Sequence, residues 1–263
     1  MAENTIQWDK DADGIVTLTL DDPTGSANVM NEHYTESMRN AVDRLVAEKD
    51  SITGVVITSA KKTFFAGGDL KGMMKLGPND AAEAFAAPEA IKADLRRLEA
   101  LGVPVVAAIN GAALGGGLEI ALACHHRVAA DVKGLVVGFP EVTLGLLPGG
   151  GGVTRTVRML GIQNAFMSVL SQGNRFKPAQ AKEIGLIDEI GYEGRQQRMP
   201  EIIREASISA PDVVRVINQM VKKRDFWMPF APLMLARRQH DYIHNPKNLR
   251  SPFMMMTFDT RDN

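Results

Sequence analysis

The segment NGAALGGGLE, residues 110–119, follows an apolar run at residues 105–109 that is typical of a buried strand. Glycines after a strand let the backbone approach a ligand closely. A helix that begins near Gly116 would direct its free amides and the positive end of its dipole into this loop. Glu119 then lies in the first turn among apolar neighbours, where a buried carboxylate often has a functional role. Capping of the helix by this carboxylate is the alternative interpretation.

Two further glycine loops follow the same pattern. FFAGGDLK, residues 64–71, comes after an apolar strand predicted at residues 55–58, and FPEVTLGLLPGGGG, residues 139–152, contains Glu141 between two apolar segments. Amides of the first two loops can converge on one oxygen atom as an oxyanion hole. Two neighbouring carboxylates suit proton transfer, because their charges push their pKa values apart. For Glu141, an ion pair with Arg155 is the alternative interpretation.

Short strands alternate with helices along most of the chain, which predicts a stacked α/β architecture. Strands are expected at residues 15–20, 55–58, 105–109, 127–130 and 135–139. Helices are expected after the N-cap Asn31, at residues 91–101, 116–123 and 155–160, and from Pro178 to the terminating Gly185.

Two segments differ from this alternation. Residues 78–87 are polar and rich in alanine, and we expect them to be mobile. Residues 200–263 contain helical pieces separated by prolines, and no strand is predicted there. The sequence therefore predicts a core domain at residues 1–199 and a helical C-terminal region at residues 200–263.

Composition excludes several classes of protein. The 263-residue chain has a formal net charge of −1 and no basic run, so neither nucleic acid nor a membrane is expected as a partner. A single cysteine, Cys124, excludes an internal disulfide and fits a reducing compartment, and its apolar neighbours indicate a buried structural thiol. No segment has the pattern of a signal peptide or a membrane span, so a cytoplasmic location is predicted.

The sequence also argues against nucleotide and metal sites. The glycine runs do not match G-x-G-x-x-G after the first strand, and no P-loop lysine follows them. His125 and His126 are adjacent, so they point to different faces. The chain has no further cysteines that could join them in a zinc site. We expect them to close a helix C-terminus.

Taken together, AGGD, NGAALGGGLE and PEVTLGLLPGGGG resemble the crotonase (enoyl-CoA hydratase/isomerase) family in order and spacing, over residues 6–189. The sequence of this stretch is most similar to that of the hydratase domain of actinobacterial multifunctional fatty-acid oxidation proteins. The resemblance implies a crotonase-like spiral of stacked ββα units. It also implies that the helical C-terminal region covers the active site and builds a homotrimer or a dimer of trimers.

The resemblance implies an acyl-CoA ligand and assigns its binding residues. The amides of Gly68 and Gly116 would hold the thioester oxygen. The first loop would meet the adenine and pantetheine end of CoA, with Lys71 near the phosphates. The implied substrate-binding residues are Ala66, Gly68, Asp69, Leu70, Lys71 and Gly116.

The implied catalytic residues are Glu119, Glu141, Gly68, Gly116 and Gly149. The two glutamates would share the catalytic water, Glu141 would give a proton to the α-carbon, and Gly149 would help to position the water. The implied reaction is hydration of a trans-2-enoyl-CoA to a 3-hydroxyacyl-CoA in β-oxidation. It needs no metal and no cofactor other than the CoA of the substrate.

Two alternatives remain open at this stage: a Δ3–Δ2-enoyl-CoA isomerase, and a non-catalytic subunit of a fatty-acid oxidation complex. Association with dehydrogenase and thiolase activities is also expected from the resemblance. The last part of the chain, residues 226–263, is rich in proline and methionine and departs from the family pattern.

Overall fold

A computed structural model describes residues 3–191 of the chain. Within this range the chain forms nine strands: β1 Ile6–Lys10, β2 Ile15–Leu20, β3 Gly54–Ser59, β4 Val105–Ile109, β5 Ala113–Leu114, β6 His126–Ala130, β7 Val137–Gly138, β8 Arg175–Phe176 and β9 Glu189–Gly191. The predicted C-terminal region at residues 200–263 lies outside the described residues.

The same range contains seven α-helices: α1 Glu32–Ala47, α2 Leu70–Met73, α3 Ala81–Glu99, α4 Gly116–Leu122, α5 Gly152–Leu160, α6 Ile162–Asn164 and α7 Pro178–Glu183. Short 3₁₀ segments lie at Lys49–Ser51, Pro78–Asp80 and Pro140–Leu144, and a π-helical turn lies at Ala165–Leu170.

Six strands form one sheet in the order β1-β2-β3-β4-β6-β9, and three form a second sheet in the order β5-β7-β8. In the larger sheet only β1 and β2 pair antiparallel, and the other neighbours pair in parallel. Every residue of β4 is buried, as expected for a central strand that is covered on both faces.

Successive turns of the chain repeat one pattern of strand, short strand and helix. β4, β5 and α4 form one turn, and β6, β7 and α5 form the next, with the short strands pairing in the second sheet. Phe65, after β3, bridges Ala113 in β5, so the first glycine loop takes the equivalent place in the preceding turn. The three glycine loops therefore follow equivalent strands in neighbouring layers, which confirms the predicted stacking of ββα units.

Aromatic side chains anchor two of these loops in the core. Phe64 and Phe65 open the first loop and are 0% exposed, and Phe139 opens the third and is 1% exposed. Full burial of such a side chain stabilises the fold by roughly 1.5–3 kcal/mol. The backbone at the start of each of these loops is thereby held next to the core.

Helix α1 begins as predicted. The side chain of Asn31 accepts a hydrogen bond from the amide of Tyr34, 2.8 Å away, and so satisfies one of the free donors of the first turn. Tyr34, Met38, Val42 and Leu45 are buried on one face of the helix. The predicted helical spacing of apolar residues is confirmed.

Helix α3 differs from its prediction, because it begins at Ala81, ten residues before the predicted start at 91. The segment that we expected to be mobile is a 3₁₀ turn followed by the start of α3, and the helix continues through Pro88. Alanine is the strongest helix former, and Asp80 accepts a hydrogen bond from the amide of Gly77 just before the helix. The helix propensity of the alanines therefore outweighs the unfavourable effect of Pro88 on the helix.

Cys124 is buried, as predicted, and burial raises the pKa of its thiol to about 12. His125 Nδ1 accepts a hydrogen bond from the amide of Val105 at 3.0 Å, whereas His126 lies 3.3 Å from the carboxylate of Glu189. The two histidines therefore take different partners, shortly after α4 ends. Among residues 3–191 no cluster of three or more His, Cys, Asp or Glu could hold a metal ion, and no helix is long and apolar enough to cross a membrane.

Candidate active site

The first and second glycine loops pack backbone against backbone. Gly67 has φ +113°, and a Cβ there would lie 3.4 Å from the carbonyl oxygen of Leu114. A Cβ on Gly117 would lie 2.6 Å from the carbonyl oxygen of Phe65, closer than carbon and oxygen can approach. Side chains at these positions would push the loops apart, so the glycines allow the first loop to reach the start of α4.

The buried Asn28 fixes the shape of the first loop. Its side-chain amide donates to the carbonyl oxygen of Phe64 at 3.2 Å and to Ser59 Oγ at 2.9 Å. Its backbone carbonyl accepts from the amide of Ala66 at 2.8 Å. Asn28 was not among the predicted site residues; its signal in the sequence is an asparagine at the end of a Gly/Ser turn, where the side chain can replace backbone partners.

Glu119 extends from α4 to the third loop. Its side chain is 2% exposed, and Oε1 accepts a hydrogen bond from the amide of Gly152 at 2.7 Å. Gly115 is the N-cap of α4, so Glu119 is the fourth residue of the helix, and its carboxylate binds another segment. The interpretation of Glu119 as a cap of its own helix is therefore wrong, because its partner comes from a different loop.

Opposing effects act on the charge of Glu119. Burial raises the pKa of this carboxyl above its ordinary value and is the largest effect. The amides of Gly152 and Gly150 and the positive charges of Arg155 and Lys92 lower the pKa and limit the rise. Glu119 is thus a buried carboxylate whose ionised form is stabilised by backbone amides and by nearby positive charges.

Glu141, in the Pro140–Leu144 turn, has different surroundings. Its Oε2 is buried, and within the described residues it has no hydrogen-bond partner. Burial, and to a smaller extent the negative charge of Glu119, raises the pKa of Glu141 to about 7. The negative charge of Glu119 acts on the pKa of Glu141, so the two carboxylates lie close enough to interact electrostatically.

The predicted alternative for Glu141, an ion pair with Arg155, is wrong. Arg155 Nε binds Glu99 Oε1 at 2.8 Å, and Nη2 binds Glu99 Oε2 at 3.1 Å. The guanidinium therefore already has a carboxylate partner on α3. In the described part of the chain, Glu141 has no positively charged partner to offset the burial that raises its pKa.

Three glycines make room for the two carboxylates. A Cβ would lie 2.6 Å from Glu119 Oε2 if built on Gly150, and 2.9 Å from Glu119 Oε1 if built on Gly152. On Gly115 it would lie 2.5 Å from Glu141 Oε1. None of these three glycines was among the predicted site residues, although all lie in the glycine runs that drew attention to the loops.

Of the two predicted oxyanion donors, Gly68 is exposed and Gly116 is buried. Within residues 3–191 neither amide donates a hydrogen bond to the protein. Gly116 is the first residue of α4, where an amide has no partner inside the helix. A Cβ on Gly116 would lie 3.7 Å from the carbonyl carbon of Gly67, so the two predicted donors belong to adjoining backbone segments.

The other predicted binding residues lie on or beside the short helix α2. Asp69 caps this helix, its Oδ1 accepting from the amide of Gly72 at 3.1 Å, so its carboxylate has a structural role. Ala66, Leu70 and Lys71 are exposed. Their predicted contacts with CoA stay predictions.

Gly149, the predicted water-positioning residue, is exposed, and a Cβ built on it would approach Pro88 of α3 at 3.7 Å. The amide that binds Glu119 belongs to Gly152, three residues further along the loop. The predicted role of Gly149 stays a prediction.

The fold and this site define a class: a stacked α/β protein with two unlike carboxylates beside unpaired loop amides. Residues 10–225 match the family described as Enoyl-CoA hydratase/isomerase. The chain belongs to this family. The match confirms the family predicted from the three loops.

Several similar proteins are longer than this chain. The fatty acid oxidation complex subunit alpha of Idiomarina loihiensis is 41% identical over 179 residues, which are 68% of this chain and 25% of the relative. That of Shewanella frigidimarina is 37% identical over 227 residues, 85% of this chain and 31% of the relative. The chain therefore spans between a quarter and a third of the length of these curated relatives. The predicted particular similarity to actinobacterial multifunctional fatty-acid oxidation proteins stays a prediction.

Solved structures agree on the fold. The crystal structure of an enoyl-CoA hydratase from Bacillus anthracis superposes with a TM-score of 0.71 at 28% sequence identity, over 93% of this chain and 93% of that one. This similarity confirms the predicted crotonase-like fold class.

The end of the chain is similar to another family. Residues 202–263 match the family described as Carbamoyltransferase C-terminus. Residues 202–225 are thus matched by both families. This second similarity covers the segment in which the sequence departs from the crotonase pattern.

Proposed function

We propose that the chain adds water across the 2,3 double bond of a trans-2-enoyl-CoA to give a 3-hydroxyacyl-CoA, a step of fatty-acid β-oxidation. The observation that carries the proposal is the pair Glu119 and Glu141, two carboxylates with opposite surroundings beside unpaired loop amides. Membership of the Enoyl-CoA hydratase/isomerase family and the names of the longer relatives support it.

The amides of Gly68 and Gly116 would hold the thioester oxygen. Polarisation of this carbonyl makes the β-carbon electrophilic, and the oxygen becomes enolate-like as water adds. Its negative charge is larger in the transition state than in the substrate, so fixed donors accelerate the reaction. Loss of one such donor typically costs about a hundred- to a thousand-fold in rate.

The two carboxylates would divide the proton transfers. Glu119, supported as an anion by amides, accepts a proton from the water, whose oxygen bonds to the β-carbon. Glu141, with a pKa of about 7, donates its proton to the α-carbon. One proton is taken up and one released, and transfer from Glu119 to Glu141 restores the starting state. Gly149 would help to position the water.

The first loop would bind CoA. Ala66, Leu70 and Lys71 are exposed, and the Lys71 ammonium can reach phosphates as a point charge. Asp69 contributes through its backbone in this proposal, because its carboxylate already caps α2. CoA arrives as part of the substrate, and the steps above need no separate cofactor.

Assembly and location also belong to the proposal. We propose a cytoplasmic homotrimer or dimer of trimers. The relatives are named as subunits of a fatty acid oxidation complex, which supports association with dehydrogenase and thiolase activities. Size-exclusion chromatography with light scattering tests the oligomeric state.

A direct assay tests the reaction. Purified protein mixed with crotonyl-CoA should remove the absorbance of the enoyl thioester, and chromatography should identify 3-hydroxybutyryl-CoA. Longer trans-2-enoyl-CoA substrates then define the chain-length preference. A protein that turns over neither short nor long substrates would be the non-catalytic subunit considered above.

An isomerase acting on the 3,4 double bond is the second candidate, because the family description includes both activities. Isomerisation moves one proton and needs only one carboxylate, so the retained pair favours hydration. Two assays separate the candidates. An isomerase would convert 3-hexenoyl-CoA into the 2-enoyl product and accumulate it. A hydratase would convert the 2-enoyl substrate into the 3-hydroxy product.

A further inference from the structure

Arg155 joins three segments around the third glycine loop. Its side chain is 10% exposed, and Nε and Nη2 bind both carboxylate oxygens of Glu99 at the end of α3. Nη1 donates to the carbonyl oxygen of Gly150 at 3.0 Å. A guanidinium can make these three bonds at once because its donors form a rigid planar fork.

Gly150 and its neighbours have no side chains, so few contacts determine the path of the loop. Gly151 has φ +98°, and its carbonyl accepts from the amide of Arg155 at 3.1 Å. Gly152 donates its amide to Glu119 at 2.7 Å. The bond to the Gly150 carbonyl therefore holds the loop two residues before the donor that orients Glu119.

We propose that Arg155, aligned by Glu99, is a positioning residue that fixes the third glycine loop so that the Gly152 amide orients and supports the carboxylate of Glu119. The expected effect of Arg155 on turnover rests on the proposed function. The expected effect of Arg155 on the Glu119 carboxylate does not, because it can be measured in the protein without substrate.

The charges around Glu119 are consistent with this role. Arg155 on α5 and Lys92 on α3 lower the pKa of Glu119, and Glu119 in turn raises the pKa of Glu141 and of Tyr34 on α1. Loss of the guanidinium removes positive charge and also frees the loop. Both effects act in the same direction and raise the pKa of Glu119.

A second buried arginine provides a matched control. Arg127 is 7% exposed, pairs with Asp188 at 2.6 Å and donates to the carbonyl oxygen of Cys124 at 2.9 Å. It has the same kind of ion pair and carbonyl bond, without a bond to the third loop. A purely structural role for Arg155 predicts equal effects of Arg155→Lys and Arg127→Lys.

The test compares Arg155→Lys, Arg155→Met and Glu99→Gln with Arg127→Lys. We expect the Arg155 variants to lower kcat for crotonyl-CoA about ten- to a hundred-fold, with KM little changed, because misplaced catalytic groups affect the transition state more than binding. Glu99→Gln should have a smaller effect of the same kind. Arg127→Lys should lower the melting temperature alone.

A second measurement does not depend on turnover. Infrared titration of the free protein, with the Glu119 band assigned by its loss in Glu119→Gln, should show Glu119 titrating at higher pH in both Arg155 variants than in the wild type. An unchanged titration in Arg155→Lys, or an equal shift in Arg127→Lys, overturns the proposal. Absence of wild-type hydration would contradict the proposed function instead, and the infrared result would still decide the role of Arg155.

Discussion

The Cβ position of Gly115 lies 2.5 Å from Oε1 of Glu141, well inside the contact distance of carbon and oxygen. Gly115 also has φ +53° and ψ −121°, a backbone conformation that side chains disfavour. The residue that precedes the helix of Glu119 therefore also leaves room for the other carboxylate. Gly115 therefore links the helix that carries Glu119 to the loop that carries Glu141.

Gly115→Ala should lower activity far more than it lowers stability. The new methyl group must displace Glu141 or the first turn of α4, and a displacement of about 1 Å can cost about a hundred-fold in rate. Gly134→Ala is the control, because Gly134 has φ +91° and no atom lies within 4 Å of its Cβ position. Both variants should lose roughly 1–2 kcal/mol of stability from backbone strain. Equal crotonyl-CoA hydration rates in the two variants would contradict the expectation.

Local rules predicted the elements that local interactions determine. Asn31 caps α1, and the alternating residues of β2 and the proline at the start of α7 lie where the sequence indicated. α3 is longer than predicted, because the alanine-rich stretch that we expected to be mobile is helical from Ala81 and the helix continues through Pro88. In this case the propensity of the whole segment outweighed a single unfavourable residue.

The site was predictable only in part, for a different reason. The glycine loops and both glutamates stand out in the sequence, because buried charge and repeated glycine are unusual. The partners of these residues join distant segments: Glu119 binds Gly152, and Arg155 binds Glu99, 56 residues away. No local pattern encodes such contacts, so both local alternatives, capping and pairing with Arg155, were plausible and wrong.

Neutralising either glutamate should lower hydration, but the two substitutions should differ in their effect on isomerisation. Glu119→Gln and Glu141→Gln should each lower kcat for hydration by about a hundred- to ten-thousand-fold, the usual contribution of a general acid or base. Glu119→Gln should keep some Δ3–Δ2 isomerisation if Glu141 alone moves that proton. Glu36→Gln, an exposed change on α1, is the control for loss of one carboxylate. Retention of hydration by Glu119→Gln would show that Glu141 alone supports this reaction.

The rate should depend on pH through both carboxylates. Glu141 must hold its proton to donate it, so kcat/KM should fall as the pH rises through about 7. Glu119 must be ionised to accept a proton, so the rate should also fall on the acid side. The acid and alkaline sides of the pH–rate profile report apparent pKa values of the interacting pair rather than of two isolated carboxyl groups. A rate that stays constant far above pH 7 would contradict the assignment of Glu141 as the acid.

Neutralising Glu141 should stabilise the fold in a pH-dependent way. The pKa of Glu141 rises from 4.5 to about 7 on folding, so between these values the folded state binds more protons than the unfolded state. Stability contributed by this group is therefore lost as the pH rises through that window. Above it, the folded protein must hold a buried, unpaired carboxylate that Glu141→Gln lacks.

Thermal melts measure this effect. The melting temperature of Glu141→Gln, relative to the wild type, should be higher at about pH 8 than at about pH 5. Glu48→Gln is the control, because Arg44 lowers the pKa of Glu48 and its titration lies below this window. The offset of that variant should be nearly the same at both pH values. If Glu141→Gln also shows a constant offset, then the carboxyl of Glu141 titrates normally in the folded protein, and the division of roles between the two glutamates loses its physical basis.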